Sequence, residues 1–196
     1  MRISKTIFIA AGLVLALAGE GHVGVTALKK MTFPEIVAAA DFIVIASPLQ
    51  PFAVADTLAF PDPTAKIPAL PRRAWRFRLG RIIKNAEAAA LPETLLVLEA
   101  NTESHALGHL LAHTMGEVQP PIAAYYQSPV KEANLAKRKS LILFLSRKKL
   151  NSSDPSEWLE FVASGSYENA SKAKAVANAV VKSLPKPAAP SPNRHK

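Results

Sequence analysis

Three histidines at a constant spacing are the residues in this chain whose types most clearly suggest chemistry. His105, His109 and His113 lie four residues apart, and Glu117 continues the series. On an α-helix, residues at this spacing turn by only about 40° from one to the next, so they form one stripe along the axis. Neutral imidazoles in such a stripe can bind Zn²⁺ together, and a carboxylate completes a typical set of four ligands. The sequence therefore predicts either a zinc or pH-sensing site on this helix or a polar face exposed to solvent.

The same segment argues against a hydrolytic zinc enzyme. In the zinc-protease helix the residue after the first histidine is the general-base glutamate, but Ala106 occupies that position here. Ser104 is adjacent to His105 without a third partner, and the chain contains no Gly-x-Ser-x-Gly turn for a nucleophilic serine. We therefore predict no catalytic residue, and no cofactor other than the zinc considered above.

A row of arginines is the second feature with chemical potential. Arg76 and Arg78 alternate with Trp75 and Phe77, and Arg81 follows. In a strand, this alternation places the aromatic rings on one face and the arginines on the other. The positive row favours an anionic surface as a partner, although it also serves solubility. Because rings and charges lie on opposite faces, the strand lacks the combined surface that single-stranded nucleic acids need. We therefore predict a basic surface whose partner is an unidentified protein or an anionic surface rather than nucleic acid.

The first 27 residues have the organisation of a secretory signal peptide. Residues 1–6 are positively charged, residues 7–18 contain no charge, and small residues precede two possible cleavage points, after Ala18 and after Ala27. We prefer Ala27, because the composition changes after it. The apolar run is shorter than the roughly 20 residues that a membrane span requires, and an uncleaved anchor is the alternative. The prediction is an exported protein, periplasmic or extracellular, that is not integral to a membrane after residues 1–27 are removed.

Composition and charge narrow the function classes further. The 196-residue chain has no cysteine and a formal net charge of +9, and removal of Arg2, Lys5 and Glu20 with the signal peptide leaves +8. Without cysteine, the mature protein has no disulfide, no thiolate metal ligand and no lipid-modified N-terminal cysteine. Export separates this basic protein from most nucleic acids, which again favours a protein or an anionic surface as partner.

Six segments have the apolar patterns of β-strands, and three have those of helices. The strands are predicted at residues 41–47, 75–79, 95–99, 122–126, 141–145 and 157–162. The helices are predicted at residues 32–40, 102–115 and 168–184. Thr32, followed three residues later by Glu35, is typical of a capped helix start. We therefore predict a mainly β fold with flanking helices, a small antiparallel OB-like β-barrel or a sandwich, in one domain over residues 28–184.

Proline and glycine mark the irregular parts of this domain. Prolines recur from Pro48 to Pro71, and proline cannot donate a hydrogen bond to a strand ladder. We therefore predict a Pro-rich loop over residues 48–73, which is a candidate for recognition because long loops often carry function. Gly80 interrupts the alternation of its strand and predicts a β-bulge. Residues 185–196 contain four prolines and few apolar residues, and we predict that they form a disordered tail.

The order of these segments resembles that of a group of bacterial exported proteins with an OB-like barrel. These proteins are related in architecture to the netrin-like modules of tissue metalloproteinase inhibitors. The segments that carry the resemblance, which covers about residues 32–162, are Phe33–Val37, Ala40–Ile45, Trp75–Asn85 and Arg138–Leu145.

The resemblance implies an OB-like fold that acts by binding. Animal inhibitors of this architecture chelate the zinc of a protease with an N-terminal cysteine, and this chain has no cysteine. Protease inhibition is therefore not implied. The sequence favours an exported, non-enzymatic binding or interaction module whose ligand is unidentified, and a metal-dependent protein that uses the histidine stripe is the alternative.

Overall fold

The computed structural model describes four parts of the chain, residues 28–60, 66–115, 123–149 and 157–183. The predicted signal peptide and the predicted C-terminal tail lie outside these described residues. Within them the protein is mainly β and ends in a C-terminal helix. The strands are β1 (Leu28–Met31), β2 (Phe42–Leu58), β3 (Leu70–Asn85), β4 (Thr94–Leu98), β5 (Ala123–Tyr126), β6 (Leu141–Lys149), β7 (Glu157–Phe161) and β8 (Tyr167–Asn169). The helices are α1 (Phe33–Ala39), α2 (Thr102–Met115) and α3 (Ala173–Ser183), with short 3₁₀ helices at Glu132–Lys137 and Ala170–Lys172.

The main sheet has the strand order β2-β3-β4-β7-β6-β8, and β2 also pairs with β6. The pairings that start at β2 therefore lead through β3, β4, β7 and β6 back to β2. Within this sheet β4 and β7 are parallel, and the other pairs are antiparallel. A second, two-stranded sheet pairs β1 with β5 in parallel. The expectation of a wholly antiparallel sheet is wrong at these two pairs, because long connections separate their strands and so allow parallel pairing.

The predicted proline-rich loop is largely strand. β2 continues to Leu58 and β3 begins at Leu70, so only residues 59–69 connect them. The ladder shifts register between Pro48 and Ala53, so the prolines there lie in an irregular stretch. From Ala53 onwards β2 pairs with β3 and, among the described residues, has no strand on its other side, since its pairing with β6 ends at Ala46. Prolines are tolerated at bulges and edges, where the missing N–H costs no ladder hydrogen bond, and the prediction of a loop over 48–73 was therefore wrong.

Strand β3 has the alternation that its sequence predicts. The side chains of Trp75 and Phe77 are buried in the main hydrophobic core, whereas Arg78 is exposed. The pairing with β2 shifts register beside Gly80, which confirms the predicted bulge. A Cβ atom at Gly80 would lie 3.0 Å from the carbonyl oxygen of Ile45, so the bulge brings the two backbones close together.

The helices agree with the sequence except at the start of α3. Thr32 and Glu35 form the predicted capping box, and the hydrogen bonds from the backbone and side chain of Thr32 hold the pKa of Glu35 below its usual value. Helix α2 has the bounds that its sequence predicts. Helix α3 begins at Ala173 rather than at residue 168, because Tyr167–Asn169 pairs with β6. The ladder partner overrides the local helical pattern there.

Two tyrosines have raised pKa values: Tyr126 at the end of β5 is half-buried, and Tyr167 at the start of β8 is buried. The Tyr126 hydroxyl donates a hydrogen bond to Oε1 of the buried Glu168 at 2.6 Å, and burial followed by this bond raises the pKa of Tyr126. Burial, with a smaller effect from Glu132, raises the pKa of Tyr167 to about 12. Both phenols therefore keep their protons more tightly in the folded protein than in the unfolded chain.

This difference predicts alkaline destabilisation. Tyrosine in an unfolded chain has a pKa of about 10, so the stabilisation is complete below pH 10 and is lost as pH rises from about 10 to 12. We expect the free energy of unfolding, measured by urea titration at successive pH values, to fall in this window. The Tyr167→Phe variant should show a shallower fall. Parallel pH profiles for the variant and the wild type would contradict the assignment.

Candidate functional site

The predicted histidine stripe lies on α2, beside the connection between β2 and β3. His109 Nε2 donates to the Pro68 carbonyl at 3.3 Å, and His113 Nε2 donates to the Lys66 carbonyl at 3.1 Å. The His109 ring also packs near Phe60, with 5.7 Å between ring centroids. Both rings therefore tether α2 to the β2–β3 connection. This use of the histidines was not expected from their spacing, because the partners are backbone carbonyls about 40 residues earlier in the chain.

The zinc hypothesis stays a prediction. Within the described parts of the chain, no three His, Cys, Asp or Glu side chains come together as a metal-binding group. The side chain of His105 and the whole of Glu117 lie outside the described residues. For Zn²⁺ to bind through the Nε2 atoms of His109 and His113, both nitrogens would have to release their carbonyl partners.

The three arginines of the predicted basic surface lie along β3. Arg78 and Arg81 are exposed, and Arg76 is half-buried. Arg76 lies opposite Leu96 of β4 in the ladder. The arginines thus occupy the outward positions that the alternation predicts, and the anionic partner inferred from them stays a prediction.

A cleft of about 440 Å³ lies beside the short parallel contact between β4 and β7. That contact spans only two residue pairs, Val97 with Leu159 and Leu98 with Glu160. The lining of the cleft comes from five strands, β2, β3, β4, β6 and β7, and from the connection between β3 and β4. Its lining residues are Asp56, Arg72, Leu91, Pro92, Thr94, Leu96, Leu98, Arg147, Glu157, Trp158 and Leu159.

Arg72 is the most constrained polar group of the cleft, since its side chain is only 9% exposed. Its Nη2 donates to Oδ2 of Asp56 at 2.9 Å and to the carbonyl of Thr57 at 3.1 Å. Its Nε and Nη1 have no hydrogen-bond partner among the described residues. Both of these nitrogen atoms are themselves enclosed by protein, so they do not open into the cleft.

Trp158 holds the guanidinium from one side. The centre of the Arg72 guanidinium lies 5.5 Å from the centroid of the Trp158 ring, which is a cation–π contact. The Trp158 indole N–H donates to Oε2 of the buried Glu160 at 3.0 Å, and this bond fixes the plane of the ring. Arg72 is therefore positioned by an ion pair, a carbonyl and an aromatic face before any ligand arrives.

Arg147 forms the other charged part of the lining. Its Nη1 lies 3.0 Å from Oε2 of Glu87, its Nε lies 3.8 Å from Oε2 of Glu157, and its guanidinium lies over the Phe42 ring at 5.1 Å. Together with Arg72 and Asp56, the lining contains two arginines and two carboxylates. Its formal charge is therefore balanced.

Sequence reasoning missed this cleft. Arg72 fell inside the loop predicted over residues 48–73, and Trp158 was interpreted only as a residue of the strand predicted at 157–162. Their common site depends on Asp56 pairing with Arg72 across the β2–β3 hairpin and on β7 lying beside β4. No local pattern links Arg72 to Trp158, because the two residues lie 86 positions apart in the chain.

The chain matches no protein family, no curated protein and no solved structure. Among the described residues, no helix is both long enough and apolar enough to cross a bilayer. The resemblance to netrin-like modules therefore stays a prediction from the strand patterns.

Proposed function

We propose that this protein is an exported, non-enzymatic binding module whose ligand occupies the cleft between β4 and β7. The observation that carries this proposal is the cleft of about 440 Å³, in which Asp56 and the Trp158 ring hold Arg72 in place and Leu96 is an exposed apolar side chain. Preformed clefts with a few convergent polar groups in an apolar lining are typical of ligand sites.

The strand pairing supports an OB-like barrel as the scaffold of this site. The five strands β2, β3, β4, β6 and β7 pair in a cycle, and the third and fifth of them, β4 and β7, are parallel. OB folds bind ligands on the face of their second and third strands. In this chain those strands are β3 and β4, and they provide Arg72 and Leu96 to the cleft.

The signal-peptide pattern supports export. Cleavage after Ala27 would leave every described strand in the mature protein, because β1 begins at Leu28.

A fragment screen with a blocked cleft tests the binding function. Leu96 and Ile82 are both large apolar side chains on the surface, 43% and 41% exposed, but only Leu96 lines the cleft. We expect some soluble fragments to shift the Trp158 indole signal in two-dimensional NMR spectra. The Leu96→Trp variant should lose these shifts, and the matched Ile82→Trp variant should keep them. Fragment shifts that avoid Trp158, or that survive in Leu96→Trp, would contradict the proposal.

A further inference from the structure

We infer that the ligand of this cleft is an amphiphilic anion, an aliphatic chain that ends in a carboxylate or phosphate head group. The chain lies on the accessible apolar part of the lining, and the head group lies at the rim, beside Arg76 and Arg78 of β3. This inference rests on the proposed binding function and specifies the class of ligand.

The accessible apolar lining favours an aliphatic chain. Leu96 is 43% exposed and Pro92 is also exposed, whereas Leu91 and Leu159 are half-buried and pack against the main core. These four side chains contain no hydrogen-bonding atom, so a polar ligand group placed against them would lose its hydrogen bonds to water. An aliphatic chain has no such bonds to lose, and it gains from the apolar area that it covers.

Two arginines flank the exposed wall of the cleft. In the ladder between β3 and β4, Arg76 lies opposite Leu96 and Arg78 lies opposite Thr94, and both of these β4 residues line the cleft. Directly opposite residues project from the same face of a sheet, with Cβ atoms about 4.5–5.5 Å apart. The side chains of both arginines therefore begin beside the cleft, on the same face as its exposed leucine.

The charged side chains inside the lining are already paired. Arg72 and Asp56 form an ion pair at 2.9 Å, and Arg147 Nε lies 3.8 Å from Oε2 of Glu157. An anionic head group placed among them would be repelled by both carboxylates. The interior of the cleft therefore favours the uncharged end of a ligand.

The rim, formed by Arg76 and Arg78, has positive charge without a partner. Arg76 is half-buried and Arg78 is exposed, and neither forms an ion pair within the described parts of the chain. The two residues project from one face of β3 about 7 Å apart, so their flexible side chains can hold one head group between them. Guanidinium groups donate paired hydrogen bonds to carboxylates and phosphates, and such charge-assisted bonds are about twice as strong as neutral ones. A ligand with an anionic end therefore fits this cleft better than a neutral aliphatic molecule.

A titration with octanoate tests this inference. Octanamide is the matched neutral compound, and acetate supplies the head group without the chain. We expect octanoate to shift the methyl signals of Leu96 in two-dimensional NMR spectra of the whole mature protein. It should bind about fivefold more tightly than octanamide and at least about tenfold more tightly than acetate, since only octanoate has both a chain for the apolar lining and a charge for the rim.

Two double variants separate the rim arginines from the overall charge of the protein. Arg76→Gln with Arg78→Gln removes both guanidinium groups of the rim, and we expect about fivefold weaker octanoate binding, with octanamide binding nearly unchanged. Arg138→Gln with Lys139→Gln removes the same charge from exposed residues outside the lining, and we expect less than about a twofold change. Thermal melting of both variants establishes that they are folded.

The outcomes distinguish the inference from the function on which it rests. If fragments bind in the cleft but octanoate does not shift Leu96, or if octanamide binds as tightly as octanoate, the amphiphilic anion is overturned and the binding module stands. Equal octanoate binding by the two double variants would overturn it as well. Acetate or inorganic phosphate that binds as tightly as octanoate would overturn it in favour of a simple anion, and retention on anionic lipid vesicles without octanoate binding would overturn it in favour of a membrane surface. If neither fragments nor octanoate shift the signals of Leu96 or Trp158, both proposals fail.

Discussion

The Phe77→Ala variant is expected to unfold with a free energy about 3–5 kcal/mol lower than that of the wild type. Phe77 is fully buried at the centre of the main core. Its ring packs edge-on against Phe52 with centroids 5.3 Å apart and against Phe161 with centroids 6.4 Å apart. Alanine would remove both aromatic contacts and leave a cavity that the paired strands on either side hold open.

Chemical denaturation with urea measures this loss. The matched control is Ile82→Ala, which truncates a large apolar side chain of the same strand that is 41% exposed. Ile82→Ala removes less buried apolar surface, so we expect its loss in the free energy of unfolding to be well below that of Phe77→Ala. Equal losses for the two variants would show that Phe77 does not form the centre of the core.

The Gly165→Ala variant is expected to lose about 3 kcal/mol for two independent reasons. Gly165 has a φ of +80°, a conformation that residues with a Cβ atom rarely adopt. The added Cβ would also lie 2.5 Å from the carbonyl oxygen of Tyr126, which is backbone and cannot rotate away. In the turn around Gly165, the Ser164 carbonyl accepts a hydrogen bond from the Tyr126 backbone N–H at 2.8 Å. The clash would push β5 away from the turn and weaken this bond.

Gly80→Ala is the matched control for this prediction. A Cβ at Gly80 would lie 3.0 Å from the Ile45 carbonyl oxygen, but Gly80 does not have a positive φ. We therefore expect a smaller loss than for Gly165→Ala, because only the close approach has to be relieved. Urea denaturation of both variants gives the comparison, and a larger loss for Gly80→Ala would contradict the account of Gly165.

Local patterns predicted many of the strands and helices for a physical reason. The alternation of Trp75 and Phe77 with arginines can bury the aromatic rings on only one face of a strand. The capping box of Thr32 and Glu35 satisfies N–H groups within the same helix turn, so no distant partner is needed. Gly80 likewise predicted its bulge, because a residue without Cβ permits the close approach of β2. Each of these signals is complete within a few residues of sequence.

Patterns that depend on a distant partner misled the prediction. The prolines at 48 and 51 indicated a loop, but the edge position of β2 and the interrupted register make them compatible with a strand. Residues 168 and 169 resembled the start of a helix, but they pair with β6 as part of a strand. In both places the secondary structure depends on whether the backbone has a hydrogen-bond partner in the sheet. That partner lies far away in the sequence, so the local residues do not reveal it.

For the candidate site, too, some features follow from the sequence and others only from the tertiary structure. The sequence by itself determined that the chain has no cysteine chemistry, that β3 has an arginine face and that the histidines of α2 form a stripe. Only the tertiary structure decided that His109 and His113 bind the carbonyls of the β2–β3 connection, and that Asp56 and the Thr57 carbonyl hold Arg72 beside Trp158. The reason is that burial and hydrogen-bond satisfaction depend on which strands pair, and β4 meets β7 across about 60 residues of intervening chain.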